Sequence, residues 1–323
     1  MKHPRRQFLH LAAAAAALPA VSRIAWAQPY PARSVRIVVG GPAGGPADIT
    51  MRLIGQWLSE RLGQTFVIEN RSVNNVAIEA VARAPADGYT LGMVAAANAV
   101  NATFFENPNF NLIRDIAPIA GLIRFPNVME VNSSFPAKTV PEFIAHAKAN
   151  PGKVSIASPG VGTTQHLTSE LFKIMTRVDI IQVPYRGSAP MLTDLLAGQV
   201  EGAFDPIPGS IEHIRSGRLR ALAVTGATRS DALPDIPTLS EFVPGFEASA
   251  WFGLGAPKNT PAVIIERLNK EINAGLADPR ITARLVDLVA TPLALSAADF
   301  GKLITDETEK WGKIVRATNI KAG

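Results

Sequence analysis

Short apolar runs alternate with amphipathic segments along the first hundred residues of the chain. The runs at 35–40, 66–70 and 89–95 are rich in apolar residues and predict strands. Between them, 47–62 repeats apolar residues at helical spacing, and 77–84 predicts a second helix. This β-α-β-α-β order favours a parallel sheet covered by helices, because parallel neighbours need a crossover connection.

A second block of the same kind follows the long apolar stretch 116–132. Its pattern predicts helices and strands in alternation, at 139–150, 154–158, 164–176, 180–185, 188–198 and 200–205. Apolar strands that can return the chain, and the helices that finish it, are predicted at 219–226, 249–257, 261–278, 280–289 and 297–316. Two βαβ blocks indicate two similar lobes.

The order of these blocks predicts a discontinuous first lobe. Residues 28–125 and 226–323 would form lobe 1, and residues 126–225 would form lobe 2, inserted between them. The 296 residues from 28 to 323 are enough for two hydrophobic cores. The predicted fold class is therefore α/β, with two lobes joined by crossing strands around a central cleft.

Residues 1–27 have the composition of an export signal. Arg5 and Arg6 precede an alanine-rich apolar run at 11–18, and residues 25–27 (AWA) offer the small residues that a cleavage site requires. The run is shorter than the about 20 residues of a membrane-spanning helix. The paired arginines favour twin-arginine export to the periplasm. An ordinary secretory route and an amphipathic N-terminal helix of the mature protein are the alternatives.

Removing this signal removes most of the positive charge. The whole chain has 32 Lys+Arg and 27 Asp+Glu residues, and the signal contains four of the basic residues and no acidic one. The mature chain therefore has 28 basic and 27 acidic residues, a net charge of +1. With no basic cluster in the body, we expect no nucleic-acid partner. The chain has no cysteine, which excludes disulfides and cysteine metal sites.

The turn after the first strand contains candidate chemistry. GGPAGGPADIT, at 40–50, places Gly44 and Gly45 before a predicted helix. A helix N-terminus leaves N–H groups unpaired and carries about half a positive charge, so this turn can hold an anion. It lacks the lysine of a P-loop and a clean G-x-G-x-x-G, which argues against a nucleotide. A tight turn without any ligand is the alternative.

A second turn has a similar composition. ASPGVGTTQHL, at 157–167, brings Ser158 and Gly162 before Thr163 and Thr164 at a predicted helix start. Two such turns, at the carboxyl ends of strands in two lobes, would face each other across the cleft where open α/β sheets bind ligands. Because neither turn contains an arginine clamp, a small carboxylate is favoured over a multiply charged phosphate.

Few residues favour an enzyme. Ser158 lies in A-S-P-G and not in the G-x-S-x-G of a nucleophile elbow. His166 is in the first turn of a predicted helix, where packing or hydrogen bonding is a more common role than that of a base. Asp205 follows a predicted strand and can either reach the cleft or cap the next helix. No H-E-x-x-H or paired-histidine spacing occurs, so no metal and no cofactor is expected.

Several segments, in this order and spacing, resemble one family. They include APADGYTLGM at 84–93, ASPGVGTTQHLTSELFKIMT at 157–176, VPYRGSAPMLTDLLAGQVEGAFD at 183–205 and WFGLGAPKNTP at 251–261. The chain is similar, over nearly its whole mature length, to the Bug-type periplasmic solute-binding receptors of tripartite tricarboxylate transporters. The resemblance implies a type II periplasmic-binding-protein fold, whose two lobes close on one ligand, and no enzymatic activity.

The resemblance also implies the ligand-binding residues. The turn after the first strand would bind a carboxylate through main-chain N–H groups, and the second lobe would complete the site. The matching positions are Ala43, Gly44, Gly45, Ala47, Asp48, Asn98, Ser158, Gly162, Thr163, Thr164, His166 and Asp205. Asn98 is expected in a loop after the third strand. Many relatives have a threonine where Ala47 stands, so this chain has one hydroxyl donor fewer.

One departure from the family bears on the ligand. After ENR, relatives usually have a glycine-rich loop, whereas this chain has SVNNV at 72–76. We hypothesise that Asn74 or Asn75 hydrogen-bonds the part of the ligand distal to the shared carboxylate. The alternative is that these side chains face solvent.

The leading functional hypothesis is a monomeric receptor. It would capture a small organic carboxylate and deliver it to the membrane permease subunits of a tripartite tricarboxylate-type transporter. A sensor protein that presents its ligand to a two-component system and an exported α/β enzyme are the alternatives. Dicarboxylates, tricarboxylates, amino acids and aromatic acids all carry the carboxylate that the turns would bind, so the ligand stays open.

Overall fold

The computed structural model describes residues 30–41, 43–71, 74–104 and 110–318. The predicted export signal at 1–27 lies outside these residues. The described strands are β1 (Val35–Gly40), β2 (Phe66–Arg71), β3 (Thr90–Ala95), β4 (Ile116–Asn132), β5 (Ser155–Ser158), β6 (Ile181–Pro184), β7 (Gly202–Pro206), β8 (Leu219–Val224), β9 (Ser249–Pro257) and β10 (Thr291–Pro292).

The helices in the same ranges cover both faces of the sheet that these strands form. They are α1 (Pro46–Leu62), α2 (Asn74–Ala82), α3 (Ala96–Phe104), α4 (Leu112–Asp115), α5 (Val140–Ala149), α6 (Thr164–Thr176), α7 (Ser188–Leu196), α8 (Ile207–Arg215), α9 (Ala262–Leu276), α10 (Pro279–Asp287) and α11 (Ala297–Thr318).

The long strand β4 joins two groups of parallel strands. The strand order is β2-β1-β3-β9-β4-β7-β5-β6. β10 and β8 also pair with β4, at residues 123–124 and 128–132. All of these residues except Asn132 pair with β9 or β7 as well. β1 lies parallel to β2 and β3, and β5 lies parallel to β6 and β7. Residues 116–126 of β4 pair with β9, and residues 127–131 pair with β7. The chain therefore passes from one group to the other along a single strand.

Alternate residues of β1 separate the two faces of the first group. Val35, Ile37 and Val39 pack into one cluster with residues of α1 and α9. Val38 packs into another cluster, with residues of α2, α3 and α11. Side chains alternate in this way along any strand, so a β-branched run buried on both faces is the expected sequence for it.

The second group is covered by α5 and α6 on one face. Phe143 and Phe172 of these helices pack with Phe204 of β7 in one buried cluster. Trp311, near the end of α11, belongs to the same cluster, whereas Phe300 of α11 packs on the first group. α11 therefore contacts both groups of strands and ties them together.

Most predicted elements are present. The helix at 164–176 and the strand at 249–257 have the predicted bounds. The apolar stretch 116–132 is the continuous 17-residue strand β4. The sheet is mixed and not wholly parallel, because β4 and β9 cross it antiparallel. The lobe boundaries predicted from the sequence stay a prediction.

Two segments that the sequence predicted as loops are helical in the structure. α2 begins at Asn74, so the second half of the loop predicted at 72–76 is helical. Asn98 lies in the first turn of α3 and not in a loop. The segment after β3 is rich in alanine, the residue with the highest helix propensity, and the Asn98 side chain accepts a hydrogen bond from the N–H of Ala95 at 2.8 Å. Together these features start the helix directly at the end of the strand.

The described residues contain neither a membrane-spanning helix nor a cluster of metal ligands. None of the helices there is long and apolar enough to cross a membrane. Nor do three or more His, Asp or Glu side chains come together in these ranges as ligands for a metal ion.

Candidate functional site

The parallel strands of the two groups end close to one another. β3 ends at Ala95, which pairs with Phe252, and Phe252 pairs in turn with Ile123 of β4. β7 ends at Pro206, which pairs with Asn127 of β4. The two ends are thus four residues apart along β4, or about 13 Å at the usual rise of a strand. The turns that follow β3 and β7 therefore lie on either side of the middle of β4.

The β1–α1 turn is held by a carboxylate of its own helix. The N–H of Gly44, at φ +81°, donates to Oδ2 of Asp48 at 2.8 Å. Nε of Arg52 donates to the same oxygen at 2.9 Å, and this hydrogen bond is the main cause of the lowered pKa of Asp48. Asp48 is buried, and its Oδ1 has no partner among the described residues. One donor of the predicted anion site is therefore already occupied.

Other donors of this turn are unoccupied. Gly45 is the N-cap of α1 and Pro46 is its first residue. The N–H groups of Gly45, Ala47 and Asp48 donate to none of the residues that the structure describes. Ala43 is exposed in the same turn. The start of α1 thus retains main-chain donors and the positive end of a 17-residue helix.

The β5–α6 turn is closed by Thr163 and His166. Oγ1 of Thr163, the N-cap of α6, donates to the carbonyl oxygen of Gly160 at 2.8 Å and accepts from the N–H of His166 at 3.2 Å. The N–H of Gly162 donates to Nδ1 of His166 at 3.0 Å. The main-chain N–H groups of Thr164 and Gln165 make no hydrogen bond within the described ranges. This second helix start therefore also has donors available.

His166 is neutral in this arrangement. Its Nδ1 accepts a hydrogen bond and so carries no proton, which places the ring proton on Nε2. Burial lowers the pKa of His166 below its ordinary value. The hydrogen-bonding role that the sequence favours over catalysis is the role that these contacts describe.

Ser158 and Thr164 are bonded inside the protein. Ser158 is fully buried, and its hydroxyl accepts from Nε2 of Gln182 at 2.7 Å. Oγ1 of Thr164 donates to Oε1 of Gln165 at 3.1 Å, and Nε2 of Gln165 donates to Oδ1 of Asn127 at 2.9 Å. The latter bond ties the start of α6 to the middle of β4. Sequence analysis missed Gln165 and Asn127.

The side chains of Asn75 and Asn98, two predicted site residues on different helices, are hydrogen-bonded to each other. Oδ1 of Asn75 accepts from Nδ2 of Asn98 at 3.3 Å and from Nδ2 of Asn101 at 3.2 Å. Asn75 is half-buried, and its own Nδ2 donates to no described residue. Both N–H donors of the Asn75 amide therefore remain for a ligand. The side chain of Asn74 lies outside the described part of the structure.

Asp205 lies at the end of β7 and bonds two serine hydroxyls. Its Oδ1 accepts from Oγ of Ser188, the first residue of α7, at 2.6 Å. Its Oδ2 accepts from Oγ of Ser210 in α8 at 3.2 Å. α8 has no side-chain cap at Pro206, so the capping alternative for Asp205 does not describe its contacts. Burial raises the pKa of Asp205 to about 6.

A second buried carboxyl group, that of Glu130, shares the hydroxyl of Ser210 with Asp205. Oγ of Ser210 is also 2.7 Å from Oε1 of Glu130, and Oε2 of Glu130 has no partner among the described residues. One hydroxyl has one proton, so it cannot donate to two ionised carboxylates at once. Burial raises the pKa of Glu130 to about 8, which keeps this group protonated at neutral pH. Sequence analysis missed Glu130, although a lone acid in the apolar run 116–132 was a usable signal.

The predicted site residues thus form separate groups. Those after β1 lie in one turn, those at 158–166 lie in another, and Asn75 joins Asn98. Within the described residues no hydrogen bond joins the β1–α1 turn to the β5–α6 turn. Each group follows the carboxyl end of one or two strands of the parallel groups.

Comparison with known proteins gives the family. Residues 50–320 match the sequence model of a protein family, described as Tripartite tricarboxylate transporter family receptor. The chain belongs to this receptor family. The resemblance and the fold class predicted from the sequence are therefore confirmed. The family is one of transporter receptors, and BugD, a solved structure 31% identical to this chain, is a periplasmic binding protein.

Relatives of this receptor match it over nearly their whole length. Protein BugT of Bordetella pertussis is 35% identical over 300 residues, which are 91% of this chain and 92% of BugT. The solved structure of R. palustris Rpa4515 with adipate is 38% identical, with a TM-score of 0.76 over 90% of this chain and 99% of that one. MatC (Rpa3494) from Rhodopseudomonas palustris with bound malate is 30% identical, with a TM-score of 0.72 over 88% and 100% of the two chains.

Proposed function

We propose that the protein is a periplasmic receptor that captures a small organic carboxylate between the β1–α1 and β5–α6 turns. One observation carries this proposal. Main-chain N–H groups at two helix starts, Gly45, Ala47 and Asp48 on one side and Thr164 and Gln165 on the other, have no partner among the described residues. Such donors, together with two helix dipoles, favour a carboxylate.

A short aliphatic dicarboxylate is the ligand class that we propose. Two relatives were solved with adipate and with malate, both of them dicarboxylates. In this chain, exposed apolar side chains are near these segments in sequence: Ile49 follows Asp48, Val76 follows Asn75 and Val161 is in the β5–α6 turn, and they are 38%, 52% and 47% exposed. They would cover the methylene groups between two carboxylates.

Closure of two lobes would complete the site. We place the boundaries near residues 126 and 226, where β4 changes its pairing partner and the segment after β8 leaves the sheet. Roughly six to ten hydrogen bonds, each worth about 0.5–1.5 kcal/mol net, would favour the closed form, and its population would rise with ligand. The closed form is the one that the membrane permease subunits of a tripartite tricarboxylate-type transporter would recognise.

We propose binding without catalysis. The residues that could have supported an enzyme are engaged in other contacts. Nδ1 of His166 accepts from the N–H of Gly162, and the hydroxyl of Ser158 accepts from Gln182. Neither is therefore arranged as a base beside a nucleophile.

Calorimetry followed by mass spectrometry of the recovered ligand tests this function. Adipate and malate should bind with one site per chain and be recovered intact, whereas the neutral diamide of adipic acid should bind far more weakly. Small-angle X-ray scattering should show a smaller radius of gyration with ligand. Chemical conversion of the ligand would instead identify an enzyme, and equal affinity for the diamide would refute recognition of the carboxylate.

A further inference from the structure

A groove of about 750 Å³ lies beside the middle of β4. We call it the β4 groove. Its walls come from β4, the segments 226–232 and 286–293, and α8. No described residue of the β1–α1 or β5–α6 turn lines it. Its volume is within the range of about 300–1,000 Å³ that is typical of small-molecule sites.

Arg124 lines this groove and makes no ion pair shorter than 4.0 Å among the described residues. Its nearest acidic atom is Oε1 of Glu247, at 4.0 Å, and Glu247 also pairs with Lys310 at 3.2 Å. Nε of Arg124 has no hydrogen-bond partner in the described structure. By contrast, Arg229 in the same wall is bonded to Glu241 at 3.0 Å. Arg124 can therefore bind an anion without first losing a tight ion pair.

Ser249 provides a second unpaired polar group in the wall. It is 2% exposed, and its Oγ has no hydrogen-bond partner among the described residues. Ser249 pairs with Pro126 across β4 and β9, two residues along β4 from Arg124. A buried hydroxyl without a partner is costly, and native proteins rarely keep one without a reason. The two unpaired groups thus form one polar end of the groove.

The rest of the groove combines apolar residues with charged ones, among them Glu212, Asp231 and Asp287. Ile211, Val289 and Leu293 line it, and Val289 packs against a buried cluster that Ile211 and Ala232 also contact. Val289 has φ +53°, a left-handed conformation that is rare for a β-branched residue. Val289 ends α10 in this conformation, since its N–H donates to the carbonyl oxygen of Val286 and the N–H of Ala290 donates to that of Leu285. The apolar wall therefore includes a residue that is held in an unfavourable conformation.

We propose that the β4 groove binds a small organic anion with an apolar body, whose acid group is held by Arg124 and Ser249 and whose body packs on Ile211 and Val289. This site is separate from the one proposed above. An unbranched arylalkanoate has the required shape and charge, because its single acid group is followed by an apolar chain and ring.

Calorimetric titration of the protein with 4-phenylbutyrate tests the proposal. The neutral 4-phenylbutyramide is the matched control ligand. Arg124→Gln should weaken phenylbutyrate binding at least about tenfold, as expected for the loss of a charge-assisted hydrogen bond, and Ser249→Ala should weaken it about threefold. Ala227→Trp, at an exposed position of the groove wall, should block binding sterically. The amide should bind no better to the wild type than to Arg124→Gln.

Two controls separate this site from the carboxylate site and from misfolding. Asn75→Ala should leave phenylbutyrate affinity unchanged, since Asn75 does not line the groove. Ser249→Ala should melt no lower than the wild type, because it removes an unpaired buried hydroxyl. The proposal would be overturned if the wild type did not bind phenylbutyrate, or if folded Arg124→Gln and Ala227→Trp variants bound it with wild-type affinity. It would also be overturned if Asn75→Ala lowered the phenylbutyrate affinity.

Discussion

The N–H of Gly162 donates a hydrogen bond to Nδ1 of His166 at 3.0 Å, so a neutral imidazole closes the β5–α6 turn. The same turn presents the N–H groups of Thr164 and Gln165. The histidine therefore shapes a helix start that we propose to bind the ligand, and its protonation state bears on both stability and binding.

His166→Leu should destabilise the protein by about 1 kcal/mol, because the N–H of Gly162 loses its acceptor. The pKa of the folded histidine lies below its ordinary value, so the unfolded chain takes up the proton first. Stability should therefore be complete above pH of about 6.5 and fall as the pH drops through the folded pKa. ¹⁵N NMR of the ring should show the Nε2–H tautomer. A proton on Nδ1 at neutral pH would contradict this assignment.

Gly44→Ala should weaken adipate binding, and Gly63→Ala provides the matched control. Both glycines have left-handed backbones, at φ +81° and +72°, and an added Cβ would meet nothing within 4 Å at either. Each substitution should therefore cost a similar stability, about 1 kcal/mol of strain. Only Gly44 lies in the β1–α1 turn, and Gly63 ends α1.

Denaturant unfolding and calorimetry of the two glycine variants separate strain from binding. Equal losses of stability with weaker adipate binding in Gly44→Ala alone are expected. Equal adipate affinities in both variants would show that the β1–α1 turn does not contact the ligand.

Asn75→Ala should weaken dicarboxylate binding about three- to tenfold, as expected for one hydrogen bond. The side chain of Asn75 accepts from Asn98 and Asn101, and it retains an amide donor. Asn150→Ala is the control, since the side chain of Asn150 donates only to the carbonyl oxygen of His146, at the end of α5, among the described residues. If Asn75→Ala and Asn74→Ala both left the dissociation constant unchanged, these residues would not contact the ligand.

Glu130→Gln should remove a pH dependence of stability. The folded pKa of Glu130, about 8, lies above its ordinary value of 4.5, so between these values only the folded state holds the proton. The contribution of Glu130 to stability should be complete below pH 4.5 and fall by at most about 1.4 kcal/mol per pH unit up to pH of about 8. Glutamine mimics the protonated carboxyl and should abolish this slope.

Urea unfolding from pH 5 to 9 measures the slope, with Glu309→Gln, at an exposed position of α11, as the control. Glu309→Gln should retain the wild-type pH dependence. An unchanged slope in Glu130→Gln would mean that Glu130 is ionised in the folded protein and that Ser210 donates to it.

Elements with strong local signals could be predicted from the sequence. The helix at 164–176 has Thr163 as its N-cap, and the strand at 249–257 is a continuous apolar run. The start of α3 could not be predicted in this way, because β3 runs into it without a proline or glycine. The sequence therefore placed Asn98 after β3, where it lies, but in a loop and not in α3.

By itself, the sequence determined the order of strands and helices, the glycine turns before α1 and α6 and the family to which they belong, because periodicity, caps and turn residues act over a few neighbouring positions. Only the tertiary structure decided which polar atoms remain for a ligand. The contacts of Asn75 with Asn98 and of Ser210 with Glu130 join residues 23 and 80 positions apart, and the order of strands around β4 brings them together. The proton held by Glu130 has the same origin, since desolvation depends on packing that no short segment specifies.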